Sequence, residues 1–378
     1  MVNTQSLSKH WRALSLKARL LAISLLLAPC VVMWWKAVDY RIWLAPALLC
    51  VVMLFFLPGP GKQKGKFAAK VSRAIFVWTT RGFSQFAAVA FIFTIFASGA
   101  KDDAITQQRP SAAHNSPPAN EMPDRTTLKV LTLNLAHGRA NGFHQAMQSE
   151  VTIRQNLSNV AEMLRRESPT VVALQEADGP SVWSGGFDHV AFLAEQAAFP
   201  SFARAEHVRA WRLSYGTAML SQPELDRAES HPFDPLPPLM PKGYLLTTIS
   251  WPGTDGQDSG IQIDVVSVHL DFSLSANRKR QAQQMIAELM PRSRPLIVMG
   301  DFNCDLSGRR SALVELIDGL NLKVFQPESS DLSTFALTGK RIDWILISPE
   351  LEFASYTTLE DELSDHKAVL AELRLAKE

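Results

Sequence analysis

Pro295 to Asp305 reads "PLIVMGDFNCD". A run of apolar residues, Leu296 to Met299, gives way at Gly300 to an acid, an aromatic, an amide, a thiol and a second acid. The run is short and holds β-branched side chains, which predicts a strand buried on both faces. Gly300 is expected to let the backbone turn sharply where the strand ends. Asp301 and Asn303 then fall at the C-terminal end of that strand, where α/β folds commonly build their sites. A plain polar loop closing a strand has the same local composition, so the surroundings must decide.

Outward from this stretch, short strands alternate with helical spacing from Leu128 onward. "LKVLTLNLAH" (128–137) reads as a strand ending at Asn134, and "TVVALQEAD" (170–178) as a buried strand ending at Gln175 and Glu176. Residues 150–166 and 278–289 carry helical apolar spacing between such strands. "YGTAMLS" begins a strand at Tyr215, and "IDVVSVHLD" ends one at His269 and Asp271. "RIDWILIS" sets Asp343 within a strand, and "LSDHKAVLAELRL" runs from Asp365 and His366 into a last one. Any one polar strand end is ordinarily structural. Repeated delivery of only Asn, Asp, Glu and His points to one shared site. Carboxylates with an amide suit a hard, oxygen-loving cation such as Mg²⁺ or Mn²⁺. Histidines beside them suit proton transfer and hydrogen bonds to phosphate.

The ordered set "LTLNL", "LQE", "SVHLD", "GDFN", "RIDWILIS" and "SDH" resembles the endonuclease/exonuclease/phosphatase (DNase I-like) family. "SANRKRQ" resembles the family's Arg-x-x-Gln helix. The resemblance runs from Leu128 to about Leu375 and does not touch residues 1–127. It implies a four-layer α/β sandwich, two mixed β-sheets flanked by helices, and metal-dependent hydrolysis of phosphate esters. It also implies roles. Glu176 would bind the metal, with Asn134 beside metal and phosphate and Asp365 able to join the metal shell. Asp301 would orient or deprotonate the attacking water, and Asn303 would hold a phosphoryl oxygen. Asp343 would orient His366 toward phosphate, and His269 would contact phosphate or assist the leaving oxygen. Tyr215 reads as a strand start more than as a phosphate contact, and Thr334 stands open between the two. Cys304 reads as a small buried hydrophobe, and Asp178, Asp271 and Asp305 as loop acids. "SDH" is no serine-hydrolase relay, because three consecutive residues cannot form one and no nucleophile elbow is present.

Charge divides the chain of 378 residues sharply: residues 1–127 carry a net +10 and residues 128–378 a net −9. The basic part is interrupted by three charge-free runs, between Arg19 and Lys36, Arg41 and Lys62, and Arg81 and Lys101. Each approaches the roughly 17–25 residues that a helical span needs. Residues 1–100 are therefore expected to form a membrane region of about three transmembrane helices. A signal peptide is a weaker reading of the first run, since two more follow and no small-residue cleavage site is evident. Lysines and arginines cluster before the first run and between the second and third. Positive-inside counting then places the N-terminus in the cytoplasm and everything after Lys101 outside. "GPGKQKGKF" (59–67) lacks the Gly-Lys-Ser/Thr of a phosphate loop and reads as a basic loop touching anionic headgroups. Residues 101–126, with several prolines and no apolar periodicity, read as a flexible linker, and 127–378 as the catalytic domain.

The three cysteines (Cys30, Cys50, Cys304) suggest neither a disulfide framework nor a zinc site. The expected activity is that of a membrane-anchored phosphoesterase acting on a lipid headgroup or small phosphate ester at the extracytoplasmic surface. A nuclease is the alternative, disfavoured because duplex DNA usually requires a basic face. A catalytically silent membrane scaffold is a second alternative, which the full set of acids and histidines opposes. No protein partner is evident.

Overall fold

The computed structural model describes residues 105–108, 127–210, 212–235, 240–252, 258–306 and 311–377. The expected membrane region, 1–100, and most of the expected linker lie outside the described residues. Among the described residues no helix is long and apolar enough to cross a membrane.

Thirteen strands and four α-helices are described. The strands are β1 (Ile105–Gln108), β2 (Thr127–Asn134), β3 (Val171–Asp178), β4 (Ser201–Ala210), β5 (Leu213–Ser221), β6 (Asp226–Pro232) and β7 (Gly243–Pro252). They continue with β8 (Asp258–His269), β9 (Leu296–Asp301), β10 (Lys323–Val324), β11 (Asp343–Ile347), β12 (Leu351–Thr358) and β13 (Val369–Leu375). The helices are α1 (Glu150–Glu167), α2 (His189–Gln196), α3 (Ser275–Leu289) and α4 (Ala312–Leu320). One sheet has the order β1-β4-β5-β3-β2-β13-β12 and the other β10-β11-β9-β8-β7-β6. Both are mixed: β2 with β3, and β8 with β9, are parallel, and the remaining pairs are antiparallel.

Side-chain alternation along the strands builds the layers. Leu128, Val130, Val171 and Ala173 meet Val265, Ile297, Met299 and Ile345 between the sheets. Their neighbours Leu131, Leu133, Val172 and Leu174 face the other way, onto Ile153, Leu157, Val160 and Leu164 of α1. Val266, Val268, Leu296 and Val298 likewise cover Ala282, Met285 and Leu289 of α3 and Leu313 and Leu316 of α4. Both faces of each central strand are therefore apolar, as the uninterrupted "LIVM" of β9 requires. Each such aliphatic side chain contributes about 1.5–3 kcal/mol when fully buried. The result is helices, sheet, sheet, helices: the expected four-layer sandwich.

Two local readings change. Gly300 does not end its strand, because β9 runs through Asp301. At its φ of +150° a Cβ would stand 2.0 Å from the Val268 carbonyl oxygen on β8, so glycine is needed for close strand approach. Ile105–Gln108, expected within the linker, pairs antiparallel with β4 as an edge strand. Its four residues have no apolar periodicity of their own, and the open edge of β4 supplies the hydrogen-bonding partner.

Candidate active site

The parallel pairs β2/β3 and β8/β9 set Asn134, Glu176, His269 and Asp301 at neighbouring strand ends. β-Pairing sets His269 beside Asp301 and Asp301 beside Asp343. Gln175 ties the sheets together here: its Nε2 donates to Thr132 Oγ1 and to Ser267 Oγ, each at 3.2 Å. Glu176 follows at φ +48°, within the register shift between Leu174 and Ala177 of β3. Such a bulge re-aims one side chain out of the alternation.

Asp301 is the hub. Its Oδ2 accepts from Asn134 Nδ2 at 2.9 Å and its Oδ1 from the Asn303 N–H at 2.8 Å. His269 Nε2 lies 3.4 Å and His366 Nε2 4.0 Å from Oδ2. Asp343 grips His366 Nδ1 at 2.9 Å. The side chains of Asn134, His269, Asp301, Asp343 and His366 are all buried. Burial, then the neighbouring Asp343, raises the Asp301 pKa. For His366 burial opposes charge, but Asp343 and Asp301 outweigh it and the pKa rises. Burial, then Lys242, drives His269 well below the usual imidazole value, so it is neutral at neutral pH. The site thus holds one charged and one neutral imidazole around the same carboxylate.

Glu176 is the more open acid, with its side chain 21% exposed. Burial would raise its pKa, yet positive charge at His137 and then Lys242 carries it far below the usual carboxylate range. His137 Nε2 is 3.4 Å from Oε2, and Lys242 Nζ 3.8 Å from Oε1. Lys242 Nζ also lies 3.2 Å from both ring nitrogens of His269. Neither His137 nor Lys242 was expected. His137 stands inside "LNLAH", three residues after Asn134, and was the one sign available. Lys242 carries no local signal.

Several expected residues have other engagements. The Asn134 Oδ1 accepts the Ala136 N–H at 3.0 Å, and Asn303 Nδ2 donates to the Leu270 carbonyl at 3.0 Å. The Asp365 carboxylate meets Arg139 Nη2 at 2.5 Å. Thr334 is structural: its Oγ1 accepts the N–H groups of Ile342 and Asp343 at 3.0 and 3.1 Å and fixes the start of β11. Asp178 is not a loop acid. It is fully buried at the end of β3, where its Oδ1 meets His137 Nδ1 at 2.6 Å and its Oδ2 accepts from Trp183 Nε1 at 2.8 Å. Tyr215 packs edge-on to His137, with ring centroids 4.9 Å apart. Asp271 is also buried, while Asp305 pairs with Lys340 at 3.0 Å. Burial lifts the Cys304 thiol to about 11, consistent with an inert packing residue.

The donor set fits a hard divalent cation. The Asp301 and Asp343 carboxylates lie within 4.8 Å of each other, and Glu176 is ionised within electrostatic reach of both His269 and His366.

Comparison with known proteins agrees with this geometry. The family model described as "Endonuclease/Exonuclease/phosphatase family" matches residues 131–366. The chain belongs to that family, whose members are metal-dependent phosphoester hydrolases. A comparison with curated proteins gives no match. Among solved structures, an endonuclease/exonuclease/phosphatase from Beutenbergia cavernae is similar at TM-score 0.52 and 20% identity, over 66% of this chain and 72% of that one. A family protein from Leptotrichia buccalis is similar at TM-score 0.51 and 17% identity, over 66% of this chain and all 100% of the other. At these identities they establish the shared fold.

Proposed function

We propose that this hydrolase is membrane-anchored and uses Mg²⁺, or Mn²⁺, to cleave a lipid headgroup or small phosphate ester at the extracytoplasmic surface. The observation that carries the chemistry is the buried Asp301, held by Asn134 and flanked by His269 and the His366–Asp343 pair. The net −9 of residues 128–378 favours a small or lipid-borne phosphate over duplex nucleic acid. The charge-free runs before Lys101 support anchoring, and their Lys/Arg flanks support the orientation.

Glu176 would hold the ion, with Asn134 and Asp365 joining if they turn from their present partners. The bound ion would polarise the phosphoryl group and favour ionisation of water. The chain's own residues do the rest. Asp301, with its raised proton affinity, accepts the proton of the attacking water. His366, charged and fixed by Asp343, donates to the oxygens that gain charge in the transition state. Neutral His269 steadies the leaving oxygen by a hydrogen bond from its ring N–H. The proton that this oxygen finally takes up is the one Asp301 removed from the water, and Lys242 adds a fixed positive charge between His269 and Glu176.

The test is a side-by-side assay of the full chain in detergent against phospholipid, a soluble phosphate monoester and diester, and duplex DNA. Hydrolysis of phospholipid or soluble ester is expected, lost in chelator and restored by Mg²⁺ or Mn²⁺. Full activity in excess chelator would overturn the mechanism. Preference for DNA would overturn the substrate reading.

A further inference from the structure

Four large apolar side chains stand in solvent on one rim of the site: Phe143, Met147 and Val151 are each 77% exposed and Val182 is 51% exposed. They belong to two segments, 143–151 and 182–187, that pack together. The short 3-10 turns Gln145–Met147 and Val182–Ser184 are in contact. The His144 ring lies edge-on to Trp183, with centroids 6.3 Å apart, and a Cβ on Gly185 would stand 3.3 Å from the Glu150 Cα. Grouped apolar exposure of this kind marks a surface that another phase or molecule covers.

The rim is continuous with the site. Trp183 donates to Asp178, Asp178 holds His137, and His137 rests on Glu176. The rim also adjoins the point where the chain enters the sandwich. Arg204 Nη2 donates to Thr106 Oγ1 of β1 at 3.3 Å and to Asp188 Oδ2 at 3.1 Å. Asp188 directly follows Phe187 of the rim. The 104 residues before β1 include all three charge-free runs. β1, the first described stretch after those runs in sequence, is thus linked through Arg204 and Asp188 to the segment that carries Val182.

We infer that this rim seats on a lipid bilayer and sets the opening at Glu176 against the headgroup layer, an inference that rests on the hydrolase reading above. A tether alone raises local concentration but leaves orientation free. Apolar side chains that enter the interface fix the orientation as well.

Two measurements test it, both on the full chain in vesicles of phosphatidylethanolamine and phosphatidylglycerol. In the first, an environment-sensitive dye is placed at Met147→Cys or, as a control on the opposite outer layer, at Asp318→Cys, with the native cysteines replaced. Brominated lipids should quench the dye at 147 and spare it at 318. Equal quenching or none would overturn the inference, whether or not any substrate is hydrolysed. In the second, the triple variant Phe143→Ser/Met147→Ser/Val182→Ser is compared with the wild type. Hydrolysis of headgroups in vesicles should fall roughly ten-fold or more, as loss of interfacial apolar contact predicts. Hydrolysis of a soluble ester should stay within about two-fold. Equal loss on both substrates, no loss on vesicles, or a smaller detergent-solubilised particle would each overturn it. The last result would mean that a second copy of the chain covers the rim. Absence of hydrolysis by the wild type would strike the proposed function and leave the quenching result to decide the rim.

Discussion

Two histidine–aspartate pairs flank the site, and they differ in what the far ring nitrogen meets. In one pair, Asp343 from β11 holds His366 Nδ1, and Nε2 points toward Asp301 at 4.0 Å. In the other, Asp178 from β3 holds His137 Nδ1, and Nε2 faces Glu176 at 3.4 Å. Burial opposes the charge on both rings, and neighbouring acids raise both pKa values above the usual one. The same two side chains therefore favour a protonated ring twice, once beside the acid proposed to activate water and once beside the acid proposed to hold the metal. The third residue gives each pair its role. The backbones differ too: Ala136, His137 and Glu176 all sit at positive φ, between 47° and 55°. Strained conformations of this kind persist where the surroundings over-determine them.

The comparison breaks most readily at His366. His366→Ala should lower turnover by about two to four orders of magnitude, as loss of a transition-state donor does. Asp343→Asn acts through the same ring, so the double variant should be little worse than His366→Ala alone. Independent multiplication of the two effects, in steady-state kinetics with folding checked by thermal melting, would separate the pair.

His137→Ala should behave differently. It removes the partner that orients Glu176, so the Mg²⁺ concentration for half-maximal activity should rise about 10- to 100-fold. Turnover at saturating metal should change far less. A metal titration distinguishes this from a loss like that at His366. Lys242→Met sharpens the contrast from the other side of Glu176. It removes a positive charge next to the proposed ligand, so turnover should fall about ten-fold while the metal requirement holds or eases. A raised metal requirement would show that Lys242 positions Glu176 as His137 does.

The smallest effect concerns a buried histidine with no acid beside it. His207 Nε2 meets only Thr217 Oγ1, at 2.9 Å among the described contacts. Burial, then Lys242, lowers its pKa from 6.5 to about 3. Below pH 6.5 the unfolded chain takes up this proton and the folded chain does not. Stability from this group is therefore present above 6.5 and is lost as pH falls toward about 3. His207→Gln should flatten that part of the profile by a Tm difference of about 2 °C or more between pH 7 and 4. An unchanged slope would mean that burial alone does not set the charge of a ring without an acid partner.

Much of the site was legible because strands end where their apolar runs stop. "LTLNL", "LQE", "SVHLD" and "GDFN" each place a polar residue just past a buried stretch, and that is a local property. The helices α1 and α3 were legible through their apolar spacing. α2, α4 and strands such as β4, β6 and β12 were not, being short or without a strong alternation. Cross-chain partnerships had no local sign at all. His137 and Asp178 are 41 residues apart, and Arg139 and Asp365 are 226 apart. Asp178 looks the same in sequence whether it lies in a loop or holds a histidine of the candidate site.

The sequence by itself determined the alternation that makes two sheets, the strand ends that carry Asn134, Glu176, His269, Asp301 and Asp343, the approach to the last strand that carries His366, and the family to which that order belongs. Only the tertiary structure decided which of these groups touch, that His137 and Lys242 stand beside Glu176, that Asp365 faces Arg139, and that Ile105–Gln108 closes a sheet edge. The physical reason is range. Apolar burial follows from residues two to four apart, whereas charge and hydrogen bonding act between whatever side chains the packed layers bring within a few ångströms.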